Sequence, residues 1–216
     1  MNRDIHHHLR KDYKHGELIE AQASLSPIQQ FRHWFSEALE SHAPEPNSMT
    51  LATSSPDGKP SARVVLLKEL DDNGFVFYTN YNSQKGQQIQ LNPYAALCFH
   101  WHELQRQVRI EGKIEKISRQ DSLAYFNSRP LGSQLGAWAS AQSQSIDSRE
   151  MLDDRLVQTK EKFNGLSVLP LPENWGGYRL VPNLIEFWQG RSNRMHDRLC
   201  YKLDENNHWE RTRLMP

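Results

Sequence analysis

The sequence predicts a mainly β protein, a closed or split β barrel with helices over its ends. Residues 48–117 alternate apolar and polar side chains in a strand-type pattern that turn sequences interrupt. The chain returns to this pattern after Pro172, and shorter helix-type stretches lie between the two strand regions. A length of 216 residues suits a single domain with a full core, because β barrels of this size commonly stay undivided.

The N-terminal residues are expected to form a mobile arm. Residues 1–25 are charged and rich in histidine, without a sustained apolar period, whereas residues 26–216 are expected to form the single domain. Ser26 is a good helix cap and Pro27 suits the first helical position. Apolar residues then recur at helical spacing to about Ser41, which predicts the first helix.

Five strands are predicted in the first strand region. The expected segments are 48–54, 60–68, 75–80, 95–101 and 105–117. Turn sequences separate the first three, which predicts an antiparallel meander. A short helix from about Ser83 to Leu91, ended by Asn92 and Pro93, precedes the fourth strand.

A helical insertion is predicted at about residues 118–163. Ser118 begins a sequence that resembles a capping box, and the helix that follows is interrupted by Pro130. Two further helices are expected at about 131–141 and 148–163. Beyond them, the expected strands are 177–181, 184–189, 198–203 and 208–213.

The composition argues against nucleic-acid and membrane partners. Lys and Arg number 26 against 26 Asp and Glu, so no net charge draws the protein to a polyanion, and a barrel that binds single-stranded nucleic acid is disfavoured. No apolar run approaches the ~20 residues that span a bilayer. Two cysteines are too few for a disulfide framework, and the first 13 residues are polar. A reducing cytoplasm is the expected location.

Cationic side chains concentrate in three places beside apolar runs. The segment 186–198 contains three arginines, a histidine and a tryptophan, and segments 63–68 and 128–134 add cations and hydroxyls. Arginine binds phosphate and carboxylate through a fixed fork of donors and stacks on flat rings. We therefore expect the three segments to form the walls of one pocket for a planar, anionic ligand.

Two phosphate positions are predicted within this pocket. Alternation along the strand places Arg63 and Lys68 on opposite faces, which suits two separate anions. One anion is expected near Thr79 and Lys85, because the free amides at a helix start attract phosphate. The second is expected where a tyrosine and an arginine share a helical face and a serine follows the proline break, namely at Tyr125, Arg129 and Ser133.

Each of these residues also has a structural interpretation. The cations of segment 63–68 could pair with carboxylates across the strand, and Tyr125 with Arg129 could be a solvated helix pair. His196 alone would more often be structural than catalytic. His100 and His102 share a strand face, but no third ligand appears at matching spacing, so no metal site is predicted.

Seven ordered motifs together resemble the pyridoxamine 5'-phosphate oxidase family, from about residue 9 to the end. They are Arg63–Lys68, Phe77–Asn80, Arg106–Val108, Tyr125–Pro130, Ser133–Trp138, Trp175–Tyr178 and Phe187–Arg198. The resemblance implies a homodimeric, FMN-binding split β barrel. It also implies the oxidation of pyridoxamine or pyridoxine 5'-phosphate to pyridoxal 5'-phosphate, with dioxygen reduced to hydrogen peroxide.

The resemblance also implies roles for individual residues. The FMN contacts would be Arg63, Val64, Val65, Leu66, Leu67, Lys68, Tyr78, Thr79, Gln84, Lys85, Gln107, Gln142, Ser143, Trp188 and Arg198. The substrate phosphate would lie among Lys68, Tyr125, Arg129 and Ser133, with the catalytic Arg194 and His196 over the pyridine ring. Arg10 and Tyr13 match an N-terminal motif that would fold over the occupied site as a lid.

Three positions depart from the family pattern. Gln84 stands where an arginine is usual, which predicts weaker FMN binding, while Met195 replaces leucine and Met215 replaces a small residue. Two rival functions stay open: a split-barrel flavoprotein with another substrate, and a non-catalytic carrier of FMN or pyridoxal phosphate. The sequence does not rank the amine substrate against the alcohol.

Overall fold

The computed structural model describes Tyr13 and residues 16–216. Its helices are α1 (Pro27–Glu40), α2 (Gln84–Leu91), α3 (Arg119–Ser128), α4 (Leu131–Ala139) and α5 (Arg149–Lys162). Its strands are β1 (Ser48–Ser54), β2 (Pro60–Leu66), β3 (Glu69–Asp71), β4 (Gly74–Asn80), β5 (Tyr94–Trp101), β6 (Arg106–Lys116), β7 (Trp175–Gln189), β8 (Asp197–Leu203) and β9 (Trp209–Arg213). A 3-10 turn covers Ser192–Arg194.

The nine strands of the described chain form one sheet. Successive neighbours are β2, β1, β5, β6, β7, β4 and β3, while β8 pairs with β7 and β9. β7 is the longest strand. Its first part pairs antiparallel with β4, and its last part pairs antiparallel with β8. Phe75 of β4 lies opposite Leu180, and Asp197 of β8 lies opposite Gln189.

The predicted meander of the first three strands is correct for the pairing of β1 with β2 and wrong for the pairing of β2 with β4. In the described sheet, β4 pairs with β3 and β7, and β2 pairs with β1. The three-residue strand β3 was not predicted, because turn-forming residues dominate that stretch. The Asp71 carboxylate closes the turn by accepting from the amides of Asn73 and Gly74 at 2.8 and 3.0 Å. Gly74 has a φ of 146°, a conformation that favours glycine.

β7 is one strand, where the sequence predicted two separated near Pro182. The pairing with β4 ends at Leu180, and the pairing with β8 begins at Leu184. Pro182 falls between these two registers, so its missing amide removes no hydrogen bond from either pairing. A proline at this position therefore does not interrupt the strand. Periodicity in the sequence does not reveal where one strand pairing ends and the next begins.

The described chain forms two compact units. The first contains the described residues up to Met49, together with Leu97–Glu111 and Pro182–Pro216. Its core is aromatic: the rings of Phe31 and Phe99 lie 4.9 Å apart, and Phe187 packs between Trp34 at 5.2 Å and Tyr201 at 5.6 Å. Helix α1 contributes two of these rings, because its apolar residues recur on one face.

The second unit contains Thr50–Ala96 and Gly112–Val181. The three helices predicted between the strand regions are present here as α3, α4 and α5. Ser118 caps α3 by accepting from the amide of Asp121 at 3.0 Å. Arg119 donates to the carbonyl oxygen of Trp175 at 2.5 Å, which fixes the start of β7 against α3.

Membrane-spanning helices are not found among the described residues: each helix is too short or too polar to cross a bilayer.

Candidate functional site

A cavity of about 690 Å³ opens in the second unit. Its lining residues are Arg63, Val64, Val65, Leu66, Lys68, Tyr78, Thr79, Asn80, Lys85, Tyr125, Arg129, Pro130, Ser133, Gly136, Ala137, Ser140, Gln142 and Trp175. Two of the three cation-rich segments contribute to this cavity, whereas the sequence predicted that all three would form the walls of one pocket. The third segment, 186–198, belongs to the first unit and is described separately.

The cavity wall contains a buried lysine. The Nζ of Lys85 donates to Oε1 of Gln142 at 2.9 Å and lies 3.3 Å from Oγ1 of Thr79. No described carboxylate lies within ion-pair distance of this ammonium group. Burial, with a smaller contribution from nearby Arg63, lowers the pKa of Lys85. Lys85 is the second residue of α2, where amide groups of the helix start also point outward.

Arg63 is held by neutral oxygens. Its guanidinium donates to Oγ1 of Thr53 at 2.6 Å and to Oγ of Ser61 at 2.5 Å. Burial lowers the pKa of Arg63, and no described carboxylate compensates for its charge. The alternative that Arg63 serves to pair with a carboxylate across the strand is therefore not realised.

Arg63 and Lys68 both line the cavity, but so do Val64 and Val65 from alternate positions of the strand, so the prediction that the two cations face opposite sides stays a prediction. Strand alternation holds only as far as Leu66, where β2 ends. Lys68 lies two residues beyond that end and is exposed. Leu67, a predicted cofactor contact, is instead buried with its side chain in the core.

Arg129 and aromatic rings form another part of the cavity wall. The guanidinium of Arg129 lies 4.8 Å from the centre of the Trp175 ring. Its Nη1 is buried and has no hydrogen-bond partner among the described residues, and burial lowers the pKa of Arg129. Tyr125 stacks on Tyr78 at 3.9 Å. With Ser133 also in the lining, the predicted trio meets around one space, so Tyr125 and Arg129 are not merely a solvated helix pair.

Other predicted residues of this unit lie outside the lining. Gln84 is exposed at the start of α2, and Ser143 is exposed with a φ of 72°. Their predicted cofactor contacts are thus not found in the cavity wall. The two methionines that depart from the family pattern, Met195 and Met215, are exposed.

A second cluster of predicted residues lies in the first unit. The rings of Trp188 and His196 are 4.7 Å apart, and Tyr13 contacts both at 5.9 and 5.8 Å. Nδ1 of His196 accepts from the backbone amide of Arg191 at 3.0 Å. Burial, and then the neighbouring Arg194, lower the pKa of His196. The imidazole is therefore neutral near pH 7, with its proton on Nε2.

The arginines of this cluster differ in their surroundings. Arg198 donates through Nε to Oε1 of Glu186 at 2.7 Å, and this buried carboxylate also faces Arg109 at 3.4 Å. Arg194 is exposed in the 3-10 turn and makes no ion pair with the described residues. Gln107 is half-buried on β6. Arg10 lies outside the described residues.

The described residues contain no group of three His, Cys, Asp or Glu side chains that could hold a metal ion. The two histidines weighed as ligands, His100 and His102, have ring centres 5.9 Å apart. The prediction that the protein uses no metal stays a prediction.

Sequence reasoning missed three contributors to the site. Trp175 was noted only as part of a motif, yet its ring lies beneath Arg129. Glu69 accepts from the hydroxyl of Tyr78 at 2.6 Å, and burial together with this bond raises the pKa of that phenol. Glu186 holds Arg198. The sequence gave no indication of the roles of Glu69 and Glu186, because each lies nine or more positions from its partner in the chain.

Fold and site together define a class of protein: a mainly β protein whose cavity is lined by several cationic side chains and by aromatic rings, suited to phosphorylated, planar ligands. Residues 35–163 match the family model for pyridoxamine 5'-phosphate oxidase. Residues 175–216 match the model for the pyridoxine 5'-phosphate oxidase C-terminal dimerisation region. The chain therefore belongs to the pyridoxamine 5'-phosphate oxidase family, a family of oxidoreductases.

Individual relatives agree with this assignment. A protein of Gloeothece citriformis (strain PCC 7424), named pyridoxine/pyridoxamine 5'-phosphate oxidase, is 58% identical over 96% of this chain and 97% of its own length. A protein of Cupriavidus necator with the same name is 52% identical over the same shares of the two chains.

Solved structures confirm the fold class. PhzG from Burkholderia lata 383, in complex with tetrahydrophenazine-1-carboxylic acid, has a TM-score of 0.87 and 30% identity, over 94% of this chain and 99% of its own. A pyridoxamine 5'-phosphate oxidase-related, FMN binding protein from Nostoc punctiforme PCC 73102 has a TM-score of 0.70 and 20% identity, over 89% and 99%. The predicted class, mainly β with peripheral helices and of the split-barrel type, is confirmed.

Proposed function

We propose that this protein is an FMN-dependent oxidase of pyridoxamine or pyridoxine 5'-phosphate. It forms pyridoxal 5'-phosphate and reduces dioxygen to hydrogen peroxide; the amine substrate also consumes water and releases ammonia. One observation carries the proposal: the buried Lys85 and the half-buried Arg129 line a single cavity, and neither has a carboxylate partner among the described residues. Two anionic groups on flat ligands would satisfy both cations.

The phosphate of FMN would bind at Lys85. A buried ammonium whose described partners are all neutral carries a desolvation cost that a bound phosphate would offset. Arg63 supplies a second cation on the same wall, while Thr79 and Gln142 supply polar groups beside Lys85. When bound, FMN would supply the hydride acceptor and the route of electrons to dioxygen.

The phosphate of the substrate would bind at Arg129. The unpartnered Nη1 of Arg129 is a buried donor that needs an acceptor, and Lys68, Tyr125 and Ser133 line the same space. Binding a remote phosphate here would orient the reacting carbon of the substrate. The ring of Trp175, 4.8 Å from the guanidinium carbon, holds Arg129 in place by a cation–π attraction.

The second cluster would act on the pyridine ring of the substrate. His196 would donate from Nε2 to a polar edge of that ring, because Nδ1 already accepts from Arg191. Arg194, which is exposed, would cover one face of the ring. Trp188 and Arg198 would contact the flavin.

A homodimer is part of the proposal. Residues 175–216 match a dimerisation region, and they contain Trp188 and His196 of the second cluster. Two subunits that share a flavin cleft would explain why a cationic side chain such as Arg194 is left exposed.

The absorption spectrum of the purified protein tests the cofactor and the substrate together. We expect flavin absorption that bleaches when pyridoxamine 5'-phosphate is added anaerobically, and peroxide release when air is admitted. Bound flavin without bleaching would identify a carrier. One solved neighbour, PhzG, is in complex with tetrahydrophenazine-1-carboxylic acid, so that acid is the second compound to add in the same experiment. Bleaching by that compound alone would replace the proposed substrate.

A further inference from the structure

We infer that Asp197 is a positioning residue that anchors the segment Gly16–Glu20 to β8 and thereby holds Tyr13 against Trp188 and His196. The functional part of this inference rests on the function proposed above, since His196 is placed there at the substrate ring. All these residues belong to the first unit.

Asp197 uses both carboxylate oxygens. Oδ2 accepts from the backbone amide of Leu18 at 3.1 Å, and Oδ1 accepts from Nη1 of Arg213 at 2.8 Å. The side chain is only 17% exposed. Hydrogen bonds to an ionised carboxylate are stronger than neutral ones, and partial burial reduces their screening by salt. The residue next to His196 therefore holds a segment 179 positions away in the chain.

The same segment is fastened on both sides of Leu18. Arg213 donates to both carboxylate oxygens of Glu20, at 2.7 and 2.8 Å, and to the carbonyl oxygen of Leu18 at 2.8 Å. The bond to Arg213 lowers the pKa of Glu20 to about 2. Arg191 lies 3.0 Å from the carboxylate of Glu17. Asp197 links these contacts to β8 by accepting from both the Leu18 amide and Arg213, and Arg213 itself lies on β9, which pairs with β8.

The anchored segment fixes where Tyr13 lies. Tyr13 precedes Gly16 by three positions, and its ring packs over the backbone of Gly190. A Cβ atom added at Gly190 would lie 2.8 Å from Cγ of Tyr13, so only glycine allows this approach. In this position the ring shields one side of His196 from water, which strengthens the hydrogen bonds of that imidazole.

Hydrogen exchange of the full-length protein tests the anchor without reference to activity. Asp197→Asn should accelerate exchange of the Leu18 amide about tenfold, because a charge-assisted hydrogen bond becomes a neutral one. The matched control is Asp57→Asn, which makes the same chemical change in the exposed turn between β1 and β2. Equal exchange of the Leu18 amide in the Asp197→Asn variant and the wild-type protein would overturn the inference.

Steady-state kinetics test the functional part. Asp197→Asn should raise KM for pyridoxamine 5'-phosphate about tenfold, with kcat within about threefold and flavin content unchanged. Gly190→Ala should reproduce the rise in KM while the Leu18 amide stays protected, because it displaces Tyr13 and leaves Asp197 intact. Should the Gly190→Ala variant not fold, Tyr13→Ala removes the ring directly. A normal KM in the variants that displace or remove Tyr13 would overturn the link between anchor and site.

The two proposals can fail separately. A wild-type protein that does not oxidise pyridoxamine 5'-phosphate would refute the proposed function, while the exchange of the Leu18 amide would still decide whether Asp197 anchors the segment.

Discussion

Lys85 and Gln142 are joined by a hydrogen bond of 2.9 Å, although 57 residues separate them in the chain. The amide oxygen of Gln142 also accepts from Thr79 at 3.0 Å. A buried ammonium would normally face a carboxylate, because that pairing compensates for lost hydration. Here the described partners are neutral, so the positive charge is left for a ligand to neutralise.

Replacing Lys85 with methionine should weaken FMN binding about 10- to 100-fold, which is the effect of losing one hydrogen bond to a charged group. The thermal stability of the flavin-free protein should stay the same or increase, because a desolvated charge has been removed. Titration of flavin-free protein with FMN and a melting curve measure the two effects. Lys59→Met, at an exposed lysine, is the control and should change neither. Unaltered FMN affinity in the Lys85→Met variant would remove this residue from the site.

FMN affinity should fall at alkaline pH because of Lys85. Its pKa in the ligand-free protein is lowered from 10.5, and a bound phosphate favours the cation and so raises the pKa again. FMN affinity is therefore highest below the ligand-free pKa, and it falls as pH rises from that value to the raised pKa of the bound form. Dissociation constants between about pH 7 and about pH 9.5 measure this fall. Lys85→Arg keeps its charge over that range, so a fall of equal size in that variant would assign the effect elsewhere.

Replacing Arg129 with alanine should raise KM for pyridoxamine 5'-phosphate about 10- to 100-fold and leave flavin content unchanged. Arg129→Lys should recover only part of the loss, because lysine keeps the charge but not the planar group stacked on Trp175. Arg149→Ala, which removes an exposed arginine paired with Asp153, is the control. Wild-type kinetics in the Arg129→Ala variant would refute the assigned phosphate contact.

The two amide substitutions of His196 should differ. Glutamine places its NH₂ group near the position of Nε2 and can still donate to the substrate, whereas asparagine places it near Nδ1 and cannot. His196→Gln should therefore keep more activity than His196→Asn, by about tenfold. Measured kcat/KM values for the two variants test the proton position inferred from the Arg191 amide. The reverse order would indicate that His196 donates from Nδ1.

Substrate binding should also weaken at acid pH through His196. Its pKa is lowered below 6.5, so the imidazole is neutral above that value and takes up a proton as pH falls through the lowered pKa. Protonation places a second N–H at Nδ1, which opposes the amide of Arg191. The acid limb of kcat/KM measures this change, and it should disappear in His196→Gln, whose side chain does not titrate.

Local sequence patterns predicted most of the secondary structure. Strand β1 and helices α3 and α5 begin and end within two residues of their expected positions, because caps such as Ser118 and Ser148 act on their own first turn. The failures have a common cause. The partner of β4 and the continuity of β7 past Pro182 depend on strands far away in the chain, which periodicity does not report.

The sequence by itself determined which chemical groups this protein possesses and roughly where its helices and strands begin, because both depend on neighbouring residues. Only the tertiary structure decided which groups meet. It brings Arg129 to the same cavity as Arg63 and Lys68, and it puts Trp175 beneath Arg129. Such encounters depend on long-range packing and desolvation, which a pattern of a few residues does not encode.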